Sequence, residues 1–121
     1  MKEILKKRTK QFALRIIKLA DKIPKNNAGN VIAKQILRSG TSVAANYRAS
    51  CRARSQADFI SKMGIVEEEA DETLFWLELL VESGLVKENL LQDLIKETDE
   101  LVAIFTASGK TAKINKNQPA K

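Results

Sequence analysis

The sequence predicts an all-α protein, an antiparallel up-down-up-down bundle of four helices. Apolar residues recur at three- and four-residue steps through four long segments, the spacing that places side chains on one face of a helix. Short stretches separate these segments, two of them containing Pro or Gly, and no alternating strand pattern or glycine-rich phosphate loop interrupts them. Helices joined by such short connections pack antiparallel. Periodicity and connection length therefore predict the same fold.

The first helix is expected from about Lys2 to Lys22, with a buried apolar stripe. The stripe consists of Leu5, Phe12, Ile16, Leu19 and Ile23. The Ile23-Pro24 pair ends the helix because the residue before a proline avoids the helical region. Lys and Arg surround the stripe and give this helix a strongly basic outer surface.

The second helix, expected over about residues 30–53, carries small residues at its centre. They are Ser39, Gly40, Thr41 and Ser42. A glycine inside a helix costs about 1 kcal/mol relative to alanine, so a local gain must compensate for it. Small residues allow a neighbouring helix to approach closely. We therefore expect Gly40 to mark a close crossing, with Phe12 of the first helix packed near it.

The third helix is expected to begin after Ser55, an N-cap residue followed three positions later by Asp58 in a variant of the capping box. Its apolar stripe has the most regular spacing in the chain. The stripe is Phe59, Met63, Val66, Ala70, Thr73, Leu77 and Leu80. Ser83 and Gly84 then favour the left-handed geometry that ends many helices.

The short connection between the second and third helices also predicts which residues face each other. Residues whose numbers sum to about 110 should lie at similar height, which places Gly40 near Ala70 and Arg38 near Glu72. Charges between helices must be paired to avoid a desolvation cost. We expect a structural polar layer here, with a ligand site as the alternative. Its members are Arg38, Ser42, Asn46 and Glu72.

The fourth helix is expected over about residues 87–107, ending at Gly109. Its stripe is Leu91, Leu94, Thr98, Leu101 and Phe105. Residues 110–121 have few apolar side chains and no periodicity, and they include several lysines. This composition predicts one domain over residues 1–109, followed by a disordered basic tail.

Composition argues against catalysis and against a membrane span. Cys51 is the single cysteine and the chain has no histidine, so an internal disulfide and a histidine-containing metal site or dyad are excluded. We expect a cytoplasmic protein with no cofactor, no metal ligand and no catalytic residue, and therefore not an enzyme. The apolar runs are far shorter than the roughly 20 residues that cross a bilayer.

The charge is divided unevenly along the chain. The net charge is +6, yet residues 1–62 hold fifteen Lys and Arg against three acids, whereas residues 63–109 hold two against twelve. Such asymmetry indicates binding to nucleic acid or to an acidic partner. Two structural alternatives stay open: the halves neutralise each other in the folded bundle, or the basic face is simply solvated.

Three segments carry a family resemblance: RSGTSVAANYR at 38–48, SQADFISK at 55–62, and EADET at 69–73 with Trp76-Leu77 after it. Over most of residues 10–107 the chain resembles the four-helix-bundle proteins encoded by intervening sequences in bacterial 23S ribosomal RNA genes. That family is similar in fold to the accessory variability proteins of diversity-generating retroelements, which form pentameric barrels and bind a reverse transcriptase and nucleic acid. The resemblance implies a homo-oligomer, a pentamer, with a nucleic-acid-related role and no catalytic motif.

Two functions compete. The first is an oligomeric scaffold that binds nucleic acid, with RNA as the expected ligand, because Lys and Arg that neutralise phosphates release counterions. The candidate contacts are Lys6, Lys7, Lys10, Arg52, Arg54, Lys110, Lys113 and Lys116. The alternative is a protein-interaction adapter, for example accessory to a reverse transcriptase. It would bind through the acidic third and fourth helices or through Trp76, a residue type enriched at interfaces.

Overall fold

A computed structural model describes residues 1–117, and within that range it contains four α-helices and no β-strand. The helices are α1 (Lys2–Lys22), α2 (Asn27–Ser50), α3 (Gln56–Glu82) and α4 (Glu88–Lys116). The prediction of an all-α four-helix bundle is confirmed. None of the helices in the described range combines the length and the apolarity needed to cross a membrane.

Helix α2 begins earlier than the predicted residue 30. Asn26 is its N-cap, and the Oδ1 atom of Asn26 accepts a hydrogen bond of 2.8 Å from the backbone N–H of Gly29. A cap of this kind satisfies an amide that has no partner within the helix. Asn27 is therefore the first residue of α2. At the other end α2 stops at Ser50, so that residues 51–55 form the connection to α3.

The predicted start of α3 is confirmed. The hydroxyl of Ser55 accepts a hydrogen bond of 3.0 Å from the backbone N–H of Asp58. The carboxylate of Asp58 accepts one from the backbone N–H of Arg54 at 3.1 Å and one from Lys62 Nζ at 2.6 Å. These bonds, the one from Lys62 first, lower the pKa of Asp58 from its ordinary value. Gly84, with φ of +77°, follows the end of α3 as predicted.

The core lies between the four helices and uses the predicted stripes. Its largest fully buried side chains include Phe12, Ile16, Ile36, Met63, Leu77 and Phe105. Each helix packs mainly on the helix before it in the chain, whereas α1 and α4 touch only slightly. The seam between the first and last helices is therefore the loosest part of the bundle.

Gly40 marks a close helix crossing, as the sequence predicts, but Ile16 rather than Phe12 fills the space beside it. A Cβ atom built on Gly40 would lie 2.8 Å from both Cγ1 and Cγ2 of Ile16. Ile16 is one helical turn beyond Phe12 on α1. The prediction matched heights along parallel axes and ignored the angle at which packed helices cross, which displaces contacts by about a turn.

The predicted end of α4 is wrong. The helix does not stop at Gly109 but continues to Lys116, so residues 110–116 are helical and not a disordered tail. Residues 118–121, the rest of the predicted tail, lie outside the described residues.

Contacts with α3 explain why α4 continues through a glycine. Ala112 is buried, and its carbonyl accepts a hydrogen bond of 3.0 Å from Nε2 of Gln56 at the start of α3. Lys113 and Lys116 lie in the last turn, where positive charge is favourable beside the negative end of the helix dipole.

Candidate nucleic-acid interface

One end of the bundle is formed where α1 and α3 begin and where α2 and α4 end. Nζ of Lys2 donates to the carbonyl of Cys51 at 3.3 Å, and this bond joins the start of α1 to the end of α2. The bond from Gln56 to Ala112 joins the start of α3 to the end of α4. We call this region, residues 1–10, 48–56 and 109–117, the basic end.

All the cations that the sequence nominates for nucleic-acid contact lie at the basic end. They are Lys6, Lys7 and Lys10 on α1, Arg52 and Arg54 in the α2–α3 connection, and Lys110, Lys113 and Lys116 on α4. Lys6 is half-buried and binds Glu3 at 3.3 Å, whereas the others are exposed. Three stretches that are far apart in sequence thus place positive charge on one surface.

Two further exposed cations lie at this end and were not predicted as contacts. Lys2 and Arg48 are both exposed beside the nominated residues, Lys2 at the start of α1 and Arg48 in the last turn of α2. A usable signal was present, because the predicted topology brings the start of α1 and the end of α2 together. Any basic residue within a turn of those helix ends belongs to the same surface.

The acidic groups close to the basic end are occupied by lysines. Glu3 binds Lys6, and Asp58 binds Lys62. Arg8 also belongs to this end, and it is paired with Glu97 and Glu100 of α4. Among the residues that the structure describes, the remaining cations of the basic end form no ion pair within 4.0 Å. Their charge is therefore available to an anionic ligand.

Tyr47, close to the basic end, is a core residue. Its side chain is buried, and its ring packs on that of Phe105 with centroids 5.7 Å apart. Burial, together with the neighbouring Cys51, raises the pKa of Tyr47 to about 12. This ring supports the interface from below and is not available to stack on a base.

Arg38 and Glu72 pair as predicted, but they do so at the surface. Arg38 Nη1 donates to Glu69 at 2.9 Å, Arg38 Nη2 donates to Glu72, and Nε1 of Trp76 donates to Glu72 Oε2 at 3.0 Å. We call these residues the Arg38 cluster. The Trp76 bond and then the Arg38 bond lower the pKa of Glu72, while the bond to Glu72 raises the pKa of Arg38. The Arg38 side chain is 48% exposed, so the pair is not a buried layer.

The other members of the predicted polar layer lie outside this cluster, so the four-residue layer is wrong as a unit. Nδ2 of Asn46 donates to the carbonyl of Ser42 in its own helix at 2.9 Å. The buried polar contact between α2 and α3 joins Ser39 and Thr73, whose hydroxyl oxygens lie 2.8 Å apart. Small hydroxyls fit the tight centre of the interface, while the long Arg38 side chain reaches its edge.

The exposed aromatic residue of α3 is Phe75, which the sequence analysis did not select. Trp76 is half-buried and its N–H is bonded to Glu72, whereas Phe75 is 51% exposed. Exposed acids share its side of α3 and define what we call the acidic face: Glu68, Asp71, Glu78 and Glu82. Phe75 lies opposite the buried stripe in helical spacing, which was the missed signal.

The sequence profile of the 23S rRNA-intervening sequence proteins matches residues 2–107. The chain belongs to this family. A similar crystal structure is that of a protein of unknown function from the S23 ribosomal protein family of Bacteroides thetaiotaomicron VPI-5482, which is 36% identical. The match covers 91% of this chain and 99% of that chain, with a TM-score of 0.83. No curated protein matched the sequence. The resemblance seen in the sequence is therefore confirmed.

Proposed function

We propose that this member of the 23S rRNA-intervening sequence protein family is a non-catalytic, self-associating scaffold that binds nucleic acid, with RNA as the expected ligand, through its basic end. The observation that carries the proposal is the gathering of exposed, unpaired cations from three separate stretches on one surface. Neutralising phosphates needs no base-reading motif. The expected binding is salt-sensitive and has little sequence preference.

Self-association is supported by two outer faces of opposite charge. The outer face of α1 carries lysines with Leu14 and Ile17, which are 46% and 43% exposed. The acidic face of α3 carries Phe75. Helices α1 and α3 pack on different sides of α2 and not on each other, so these faces point away from one another. Charge complementarity would join the α1 face of one copy to the α3 face of the next.

A contact between two different faces closes into a ring when its rotation fits. The family resemblance sets the proposed number of subunits at five. We place the helices in up-down-up-down order, which is supported by the short connections and by the hydrogen bonds that join helix ends at the basic end.

Two variants with equal loss of charge test the RNA proposal. Lys7→Gln, Arg52→Gln and Lys113→Gln together remove three cations of the basic end, one from each element. The matched control, Arg15→Gln, Lys18→Gln and Lys22→Gln, removes three cations from α1 away from that end. The ligand is a single-stranded RNA of mixed sequence, titrated at several salt concentrations.

The basic-end variant is expected to bind more weakly and to flatten the log–log salt slope by about 2, at about 0.7 per phosphate contact. The control variant is expected to keep an RNA affinity and a salt slope close to those of the wild-type protein. Absence of RNA binding by the wild-type protein at low salt would refute the proposal. An equal loss of RNA affinity in the two variants would show that the net charge of the protein, rather than the basic end, attracts the RNA.

The adapter function remains a second candidate because Phe75 is exposed in an acidic surface beside Trp76. A reverse transcriptase is an example of the partner it would serve. A pull-down with nuclease treatment separates the two functions. A partner that survives nuclease and is lost on Phe75→Ser favours the adapter, whereas a partner released by nuclease favours the nucleic-acid scaffold.

A further inference from the structure

A cavity lies between α1 and α4, away from the basic end. It is an open groove of about 550 Å³. Its floor is made of aliphatic side chains, including Leu19 from α1 and Leu91 and Leu94 from α4. The floor offers no hydrogen-bonding side chain, so an occupant must present apolar groups to it.

The groove lies along the seam where α1 and α4 touch only slightly. Toward the basic end the seam is closed by Arg8, which donates to Glu97 at 2.8 and 2.6 Å and lies 3.6 Å from Glu100. These contacts, led by the hydrogen bond to Glu97, raise the pKa of Arg8. Beyond them no comparable contact between α1 and α4 is found in the described residues.

The rim of the groove is cationic. Arg15, Lys18 and Lys22 line it from α1, and Lys87 lines it from the start of α4. Within residues 1–117 none of these four side chains is in an ion pair. The combination of an aliphatic floor and a positive rim selects a ligand with an apolar side and negative charges beside it. We call this site the cationic groove.

The shape of the groove favours a helix over a single acyl chain. The segment from Arg15 to Lys22 spans about 10 Å at 1.5 Å per residue, which matches roughly two turns of a helix laid alongside. The groove is open along one side, so a lone acyl chain would keep much of its surface in water. A helix satisfies its own backbone and can place residues i, i+3 or i+4, and i+7 into such a groove.

We propose that the cationic groove binds an acidic amphipathic helix of a partner protein, with aliphatic side chains on the leucine floor and carboxylates on the four rim cations. The site is separate from the basic end and needs no nucleic acid. Its test can therefore fail or succeed independently of the RNA proposal.

The probe is a synthetic helix about four turns long, with Leu at i, i+4, i+7 and i+11 and Glu at the flanking positions. A second peptide carries Lys in place of each Glu. The groove variant is Leu90→Glu, since Leu90 lines the groove and is 69% exposed, so its replacement does not disturb the core. The matched control is Ile114→Glu, on the same helix, 61% exposed and outside the groove.

The acidic peptide is expected to bind the wild-type protein at least about tenfold more tightly than the Lys peptide, as measured by fluorescence anisotropy. Leu90→Glu should weaken that binding by about tenfold or more, while Ile114→Glu leaves it unchanged. RNA affinity should be unchanged in Leu90→Glu, because Leu90 lines the groove and lies away from the basic end. Equal peptide binding by wild-type protein and Leu90→Glu would overturn the proposal.

Two other occupants would also overturn it, and each has its own readout. Laurate that binds the wild-type protein but not Leu90→Glu, in the absence of peptide binding, would identify an acyl-anion site. A change of mass in light scattering on Leu90→Glu, again without peptide binding, would show that a second copy of the chain fills the groove.

Discussion

At Gly40 the absence of a side chain sets the distance between α1 and α2. Gly40→Ala would bring a methyl group within 2.8 Å of two carbons of Ile16, which is fully buried and cannot move aside. The overpacking cost of about 1 to 3 kcal/mol exceeds the gain of about 1 kcal/mol in helix propensity. We expect a lower free energy of unfolding in urea, and a larger loss for Gly40→Leu.

Gly64 provides the matched control, because it lies inside α3 and a Cβ atom there would meet nothing within 4 Å. Gly64→Ala is expected to raise the free energy of unfolding by about 0.5 to 1 kcal/mol through helix propensity alone. The same chemical change should thus have opposite signs at the two positions. Unchanged stability in Gly40→Ala would remove the claim of a close crossing.

The Arg38 cluster predicts a pH dependence at low pH. The pKa of Glu72 is lowered in the folded protein, chiefly by the Trp76 N–H and then by Arg38. Its stabilisation is therefore complete above the ordinary value of 4.5 and is lost as the pH falls below 4.5 through the folded pKa. Glu72→Gln should be less stable at pH 7 and should lose less stability on acidification.

The single tryptophan of the chain belongs to this cluster, so its fluorescence reports both unfolding and the local titration. Glu68→Gln is the control, since Glu68 is an exposed carboxylate on the same helix with no ion pair among the described residues. Parallel stability curves for the wild-type protein and Glu72→Gln between pH 7 and pH 3 would contradict the assignment.

At the scale of the element, the end of α4 depends on its contact with α3. Gln56→Ala removes the hydrogen bond to the Ala112 carbonyl and should cost about 0.5 to 1.5 kcal/mol. Backbone amides of residues 110–116 should then exchange with solvent faster. Gln92→Ala, an exposed glutamine on α4, should leave that exchange unchanged. If these amides exchange at the same rate in Gln56→Ala and in the wild-type protein, the end of α4 is stable without its contact with α3.

The same contact explains what local sequence patterns could and could not predict. The four helices follow from apolar spacing, and the short connection between α2 and α3 was enough to pair Arg38 with Glu72. The extension of α4 was missed because Gly109 favours a stop locally, while the bond from Gln56 that stabilises the extension comes from a residue far away in sequence.

The candidate sites were likewise predictable only in part from local sequence patterns. The cations of the basic end were nominated from charge alone, and the topology gathers them. The cationic groove was not predicted, because it depends on the slight contact between α1 and α4, which no local pattern encodes. The depth of the polar layer was misjudged for a related reason, since burial depends on how each helix is rotated within the bundle.

At the scale of the whole molecule, opposite charges on the α1 and α3 faces predict self-association. Phe75→Asp adds charge at the proposed contact without disturbing the core, because Phe75 is 51% exposed. We expect a loss of oligomer mass in light scattering, with a folded monomer by circular dichroism. Val31→Asp on α2, where Val31 is 57% exposed, should keep the wild-type mass. A wild-type monomer at both low and moderate salt would refute assembly through these faces.

The loose seam between α1 and α4 also bears on how the chain folds during synthesis. Each helix packs mainly on the one made just before it, so the ribosome releases the helices in the order in which they can pair. No early step waits for the carboxyl-terminal residues, and the loops to be closed are short. Proteins with such local contacts fold in microseconds to milliseconds. We expect refolding on that timescale in a stopped-flow or temperature-jump experiment, and an amino-terminal helix pair that collapses before synthesis of α4 is complete.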